Sequence, residues 1–175
     1  MYRGFKMNYK KFCLSALFLA LSIAIYTLES FIPPIGIPGA KLGLSNIVTL
    51  MALLYLGVKL SACILFLRIA VTALFSGTVI SFVFSLFGGV FAFVIMSVMV
   101  TLLPNKLIWA SSVMGAVFHN IGQLLAAAII IDNMSVIYYL PILTVTAIAT
   151  GAFTGLAAQL TDNRLGKVIK SRFRL

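Results

Sequence analysis

Acidic residues are nearly missing from this chain. Its 175 residues include three Asp and Glu against 13 Lys and Arg, with one histidine, one tryptophan and two cysteines. Each scarcity removes a class of chemistry. The acids, Glu29, Asp132 and Asp162, are scattered, so no Asp-rich pair of the kind that holds magnesium diphosphates is present. A lone His119 with no acid near it in the chain leaves no Ser/His/Asp arrangement. A glycine-rich loop ending in Gly-Lys-Ser/Thr is missing, so this chain does not itself hydrolyse ATP. Cys-Xaa-Xaa-Cys-His, the haem attachment, is missing as well. Cys13 and Cys63 both fall in apolar runs and read as buried thiols, with neither a disulfide framework nor a metal spacing. These gaps disfavour an enzyme and give no reason to expect a cofactor or metal. A binding or transport protein is the reading left.

What is present is apolar. Hydrophobic residues make up 62% of the chain and charged ones 9%, with a mean hydropathy of +1.17. That composition belongs to an integral membrane protein, in which the bilayer replaces the usual soluble core. The apolar runs predict an all-α bundle of six spans in one membrane domain, at about 12–28, 42–56, 60–75, 79–103, 107–131 and 137–160. The first run has a basic flank like a signal peptide. Glu-Ser-Phe-Ile-Pro-Pro follows it without a small-residue cleavage site, so it reads as a retained span. Six spans put both termini on one side, together with Lys10, Lys11, Lys59, Lys106 and the cations after Leu160. The positive-inside rule makes that side the cytoplasm of a plasma membrane. The formal charge of +10 thus reports topology, and nucleic acid is not an expected partner.

Polar residues inside the runs carry the functional signal. In the fifth run Gly115, His119 and Gln123 are four apart and share a helical face, with Asn120 beside them. His119 lies about 12 residues, roughly 18 Å, from either end, near the middle of a hydrocarbon core of about 30 Å. Polar groups are costly at that depth, and such a cluster reads by default as a site. A metal role for His119 is disfavoured, because no second His or suitable carboxylate shares its helix. A hydrogen-bonding role in a pocket and a structural role both stand. Arg68, central in the third run, costs about 2.5–3.5 kcal/mol before compensation. It needs a partner, a cavity or a ligand. No acid is expected at its depth, which leaves backbone carbonyls, Asn120, Gln123 or the anionic group of a mostly apolar ligand, shared with Lys41. Asn46, expected about one turn inside the second span, is a further pocket amide or interhelical glue.

Two other stretches stand out. Residues 29–41 are apolar for a loop and hold Pro33, Pro34 and Pro38, each without a backbone donor. They read as a lid over the outer end of the bundle, with Glu29 closing against Lys41, or else as a membrane-surface turn. Ala16, Ala20 and Ala24 form a smooth strip on the first span, for packing within this chain or for docking a partner helix.

Residues 32–50, with Pro-Gly-Ala-Lys-Leu-Gly-Leu-Ser-Asn at 38–46, and Gly115-Ala-Val-Phe-His119-Asn120-Ile-Gly122-Gln123 resemble the bacterial Gx transporter family, also labelled heptaprenyl diphosphate synthase component I. Arg68, Tyr139-Leu140-Pro141 and Thr150-Gly151-Ala-Phe-Thr-Gly155 fit the same pattern. The resemblance implies a six-helix fold similar to the substrate-binding S-components of energy-coupling-factor (ECF) vitamin transporters. In those, an Ala-Xaa-Xaa-Xaa-Ala strip on helix one docks a transmembrane coupling subunit, and ATPases are supplied by other chains. Ala16, Ala20 and Ala24 stand where that strip would be. The substrate would sit toward the outside, under the first loop. Relatives also look associated with flavin-based extracellular electron transfer. The leading expectation is a substrate-binding subunit for a small, largely apolar, anionic precursor such as a quinone or isoprenoid precursor, lined by Arg68, His119, Asn120, Gln123, Asn46 and Lys41. The alternative is a non-transporting scaffold or electron-transfer component in a quinone, flavin or prenyl-synthesis complex. An autonomous carrier is disfavoured for want of intramembrane acids.

Overall fold

A computed structural model of the chain describes residues 9–32, 42–103 and 107–173. Its elements are helices: α1 Tyr9–Glu29, α2 Asn46–Leu56, α3 Val58–Ser76, α4 Val79–Leu102, α5 Ile108–Ile131, a short 3-10 stretch Met134–Tyr139, and α6 Leu140–Phe173. No strand occurs among the described residues. Five stretches are long and apolar enough to cross a membrane: α1, α3, α4, α5 and the 3-10 stretch with α6. The predicted spans at 79–103 and 107–131 coincide with α4 and α5 almost to the residue.

Two predicted boundaries and one expected burial change. The expected span 42–56 is instead the 11-residue α2, which starts at Asn46 and not upstream of it. Gly43, at φ 78°, takes the chain out of helical geometry just before it. At 1.5 Å per residue α2 is about 16 Å long, roughly half the thickness of a bilayer core. It tolerates that shortness because it touches all five other helices, and eight of its 11 residues are buried. At the other end of the chain, α6 does not stop near 160. It runs 34 residues, about 51 Å, and carries Arg164, Lys167 and Arg172 on helix rather than on a loose tail. Lastly, the thiols of Cys13 and Cys63 are exposed on the outside of the bundle. Being in an apolar run fixes membrane depth but not which way a side chain faces.

Small residues set the closest helix approaches. A methyl group at Gly151 would lie 2.7 Å from the Val113 Cα, and one at Gly155 2.7 Å from the Trp109 Cα, so α6 meets α5 backbone to backbone. The Ser112 and Thr154 hydroxyls bond across this seam at 3.0 Å. Gly122 meets the Phe87 carbonyl of α4 in the same way, with 2.6 Å to an added methyl. Gly57 alone, at φ 78°, turns α2 into α3.

The start of α1 meets the end of α6, where Lys10 Nζ donates to the Arg172 carbonyl at 3.0 Å. Nearby, Tyr55 at the end of α2 donates to Asp162 Oδ1 of α6 at 2.7 Å and stacks on Phe18 of α1. These contacts define a cation-rich end of the bundle, with Lys59 at the start of α3. Glu29, Gly43 and Ser45 lie beyond the opposite end of α2.

Candidate functional site

Because α2 is half-length, its first residue opens into the interior of the bundle. The space beyond it is filled by side chains from four other helices. Along α1 the buried positions are Leu14, Phe18, Ser22, Tyr26 and Glu29, one face of the helix turned inward. Tyr26 is tied to α4 through the Ser81 and Ser85 hydroxyls, at 3.2 and 3.1 Å. Glu29 is 3% exposed, and its Oε1 accepts the backbone N–H of Gly43 at 2.5 Å. From α3, Arg68 is 2% exposed and its Nη1 donates to Ser45 Oγ at 2.7 Å. From α5, Gln123 Nε2 and His119 Nε2 lie 3.1 Å apart. Tyr26, Glu29, Gly43, Ser45, Arg68, Ser85, His119 and Gln123 together line one polar pocket. The space left among them is about 10 Å³, room for about one water.

Two glycines make the seat of His119. A methyl at Gly88 would stand 2.8–3.0 Å from three atoms of the imidazole, and one at Gly43 3.0 Å from its Cδ2. Asn46 Nδ2 is 2.9 Å from that same methyl position at Gly43, so the Asn46 amide borders the ring. Gly89, next along α4, borders the Arg68 guanidinium.

Glu29 is the main departure from the sequence reading, which placed no acid at the depth of Arg68. Glu29 and Arg68 share the pocket, and their charges interact across it. Depth counted along straight helices missed this. Arg68 is a long side chain that reaches away from its own Cα to Ser45, and Glu29 closes α1 facing inward. The predicted residues therefore divide. Arg68, His119 and Gln123 line the pocket, Asn46 borders it, and Glu29 joins it. Asn120 does not. It faces α6, where its Nδ2 donates to the Leu143 carbonyl at 2.8 Å. Lys41, Pro33, Pro34 and Pro38 lie outside the described residues.

Several pocket groups were missed at the sequence level. Tyr26 is one turn before Glu29 on the same face, Ser45 precedes Asn46, and Ser85 is one turn before Gly88/Gly89. Helical spacing would have found each, once Glu29 was placed inside. The polar inventory is also incompletely paired. Among the described residues, neither atom of the Asn46 amide, nor Arg68 Nε, nor Asn120 Oδ1 has a hydrogen-bond partner, although all are buried. No three of His, Cys, Asp and Glu come together among the described residues. A separate apolar cavity of about 170 Å³ lies between α5 and the start of α6, lined by Ile121, Leu124, Met134 and Leu140 among others.

The outer face of α1 is equally defined. Ala16, Ala20 and Ala24 are all exposed, so the strip is turned away from the described residues of the bundle.

A family model described as heptaprenyl diphosphate synthase component I matches residues 18–161. No curated protein and no solved structure matches the chain significantly. The match takes in every residue of the polar pocket, and the chain belongs to that family.

Proposed function

We propose that this member of the heptaprenyl diphosphate synthase component I family is a substrate-binding membrane subunit, not an enzyme. Its substrate is a small, largely apolar precursor with one anionic end, of the quinone- or isoprenoid-precursor kind. The observation that carries this reading is the convergence of Arg68, Glu29, His119 and Gln123, all within 4% of full burial, inside an apolar bundle. Groups of this kind are expensive in a membrane interior and mark substrate paths there. Arg68 takes the anionic group, while His119, Gln123 and the Asn46 amide orient the ligand. The space among them is smaller than any such ligand, so binding includes widening of the pocket.

The distribution of cations supports an orientation with the cation-rich end in the cytoplasm and the pocket toward the outside. The exposed Ala16, Ala20 and Ala24 strip then faces the lipid, where it suits a close-packing helix of a transmembrane coupling subunit. ATP hydrolysis comes from further chains.

The test is a thermal-shift screen of the detergent-purified protein against naphthoates, quinone precursors, prenyl phosphates, flavins and water-soluble vitamins, with Arg68→Ala alongside. A ligand that binds the folded state raises its apparent stability, by about 2.7 kcal/mol at a hundredfold excess over Kd. A hit lost in Arg68→Ala is expected. Copurification separates this reading from a scaffold or electron-transfer role. Coupling subunits and ATPases are the expected companions, and redox or prenyl-transferring enzymes in their place would overturn it.

A further inference from the structure

Arg68 already has an anion beside it. Glu29 sits in the same pocket, held by the Gly43 N–H, and the two charges interact there. Among the described residues lining the pocket, Arg68 is the only cation and Glu29 the only acid. The described lining is therefore close to neutral. A second carboxylate brought to Arg68 would leave two negative charges against one positive in a space about one water wide. Two carboxylates in one buried site cannot both stay ionised. One takes up a proton.

We propose that Glu29 is a built-in counter-ion of the binding site, and that the substrate is a monocarboxylate which enters together with one proton. This rests on the substrate-binding reading above. As the ligand carboxylate takes its place at Arg68, the Glu29 carboxylate accepts a proton from the side on which the ligand enters. The sum of charge in the pocket is unchanged, with one carboxylate, one guanidinium and one carboxylic acid. A diphosphate, with its several charges, would need further cations that the described lining does not supply. A single carboxylate is what the described lining can neutralise.

The sign of the pH dependence follows. The complex holds a proton that the free protein does not, so affinity falls as pH rises, by up to about tenfold per pH unit. Groups facing Glu29 that carry or can gain charge are Tyr26 on its own helix, Arg68 on α3 and His119 on α5. The pocket residues Ser85 of α4 and Gly43 and Ser45 ahead of α2 do not titrate in this range. His119 is the one rival proton acceptor in the lining, and a His119→Gln variant controls for it.

Two measurements test the proposal. The first uses 2-naphthoate as the probe, with isothermal titration calorimetry in buffers of different ionisation enthalpy to count protons taken up. Wild type and His119→Gln are expected to take up one proton per naphthoate, and Glu29→Gln none, with tighter binding and no pH dependence above neutral. Equal proton uptake in wild type and Glu29→Gln, or uptake lost only in His119→Gln, overturns the proposal. The second needs no substrate. Glu29→Ala leaves Arg68 without its counter-ion, so its melting temperature is expected to fall and to recover in formate but not in chloride at equal ionic strength. An Arg68→Ala, Glu29→Ala double variant should not respond to formate. No formate response in Glu29→Ala overturns the counter-ion role itself. Rescue by formate without naphthoate binding to any variant upholds that role and overturns the monocarboxylate proposal, while the substrate-binding reading is decided separately by the wider ligand screen.

Discussion

Gly88→Ala is the smallest change that reaches the site. Its methyl would stand 2.8 Å from Cε1, 2.9 Å from Nδ1 and 3.0 Å from Nε2 of His119. Ordinary contacts lie near 3.5–4.0 Å, so the imidazole has to retreat by roughly 0.5–1 Å. Behind it stands Gly43, close to Cδ2, and retreat also stretches the 3.1 Å link to Gln123. Overpacking of this kind costs about 1–3 kcal/mol, and a buried hydrogen bond lost adds about 1–3 kcal/mol. Against these stands the helix preference for alanine over glycine, about 1 kcal/mol. The expected net loss is about 1–5 kcal/mol, together with loss of any ligand-induced thermal shift. The assay is thermal unfolding in detergent of Gly88→Ala, His119→Ala and the double variant. With the ring removed the methyl has nothing to strike, so the double variant should be no less stable than His119→Ala alone. Gly89→Ala is the control. Its methyl meets only the tips of Leu65, Ile69 and Arg68, at 3.2–3.4 Å, and flexible ends can move aside. If Gly88→Ala is as stable as wild type, or costs as much without the imidazole as with it, the account of the His119 seat is wrong.

Other substitutions probe the surrounding architecture. Ala20→Leu lies on the exposed strip, so unfolding should change by less than about 0.5 kcal/mol while copurification of the coupling partner drops. Asp162→Ala and Tyr55→Phe each remove the 2.7 Å bond between α2 and α6, and each should cost about 1–3 kcal/mol. Combined, they should cost little more than the worse single change, which a double-mutant cycle reads directly. Gly155→Leu drives a side chain into the Trp109 backbone from 2.7 Å and pries open the Ser112–Thr154 seam, so a loss of about 3 kcal/mol or more is expected in detergent unfolding.

Much of this protein is legible in its sequence, for physical reasons that also mark where legibility ends. Hydrophobic runs report membrane-scale length, so α4 and α5 fall where they were placed. The four-residue spacing of His119 and Gln123 reports a shared helical face, and both side chains do meet. Arg68 announces an interior partner because a central charge is costly. Runs do not report where helical geometry begins inside the apolar stretch. Gly43 does that, and the shortness of α2 follows from it. Nor does an apolar run say which side faces in. Cys13 and Cys63 are turned outward, and so is the Ala16, Ala20 and Ala24 strip. The partner of Arg68 was hidden for a related reason. Glu29 looks like a boundary charge because it ends α1, and only the packing of α1 against α2 and α3 turns it inward. Asn120 shows the reverse error: next to His119 in sequence, it points about 100° away on the helix and serves the α6 seam instead.

The half-length α2 has a consequence for how the protein is made. Insertion into a membrane is keyed to stretches of about 20 apolar residues, and α2 has 11. Only Gly57 separates it from α3, so the two are expected to enter as one hairpin whose insertion is decided by the longer arm. A nascent chain released before α3 is complete should therefore leave residues 46–56 open to protease, and one released after it should protect them. Part of the burial that α2 finally enjoys comes from α4, α5 and α6, which are synthesised later still. Its polar first turn, where Asn46 stands, spends that interval without the neighbours that will enclose it. The helix at the centre of the finished bundle is thus one that the bilayer does not accept on its own.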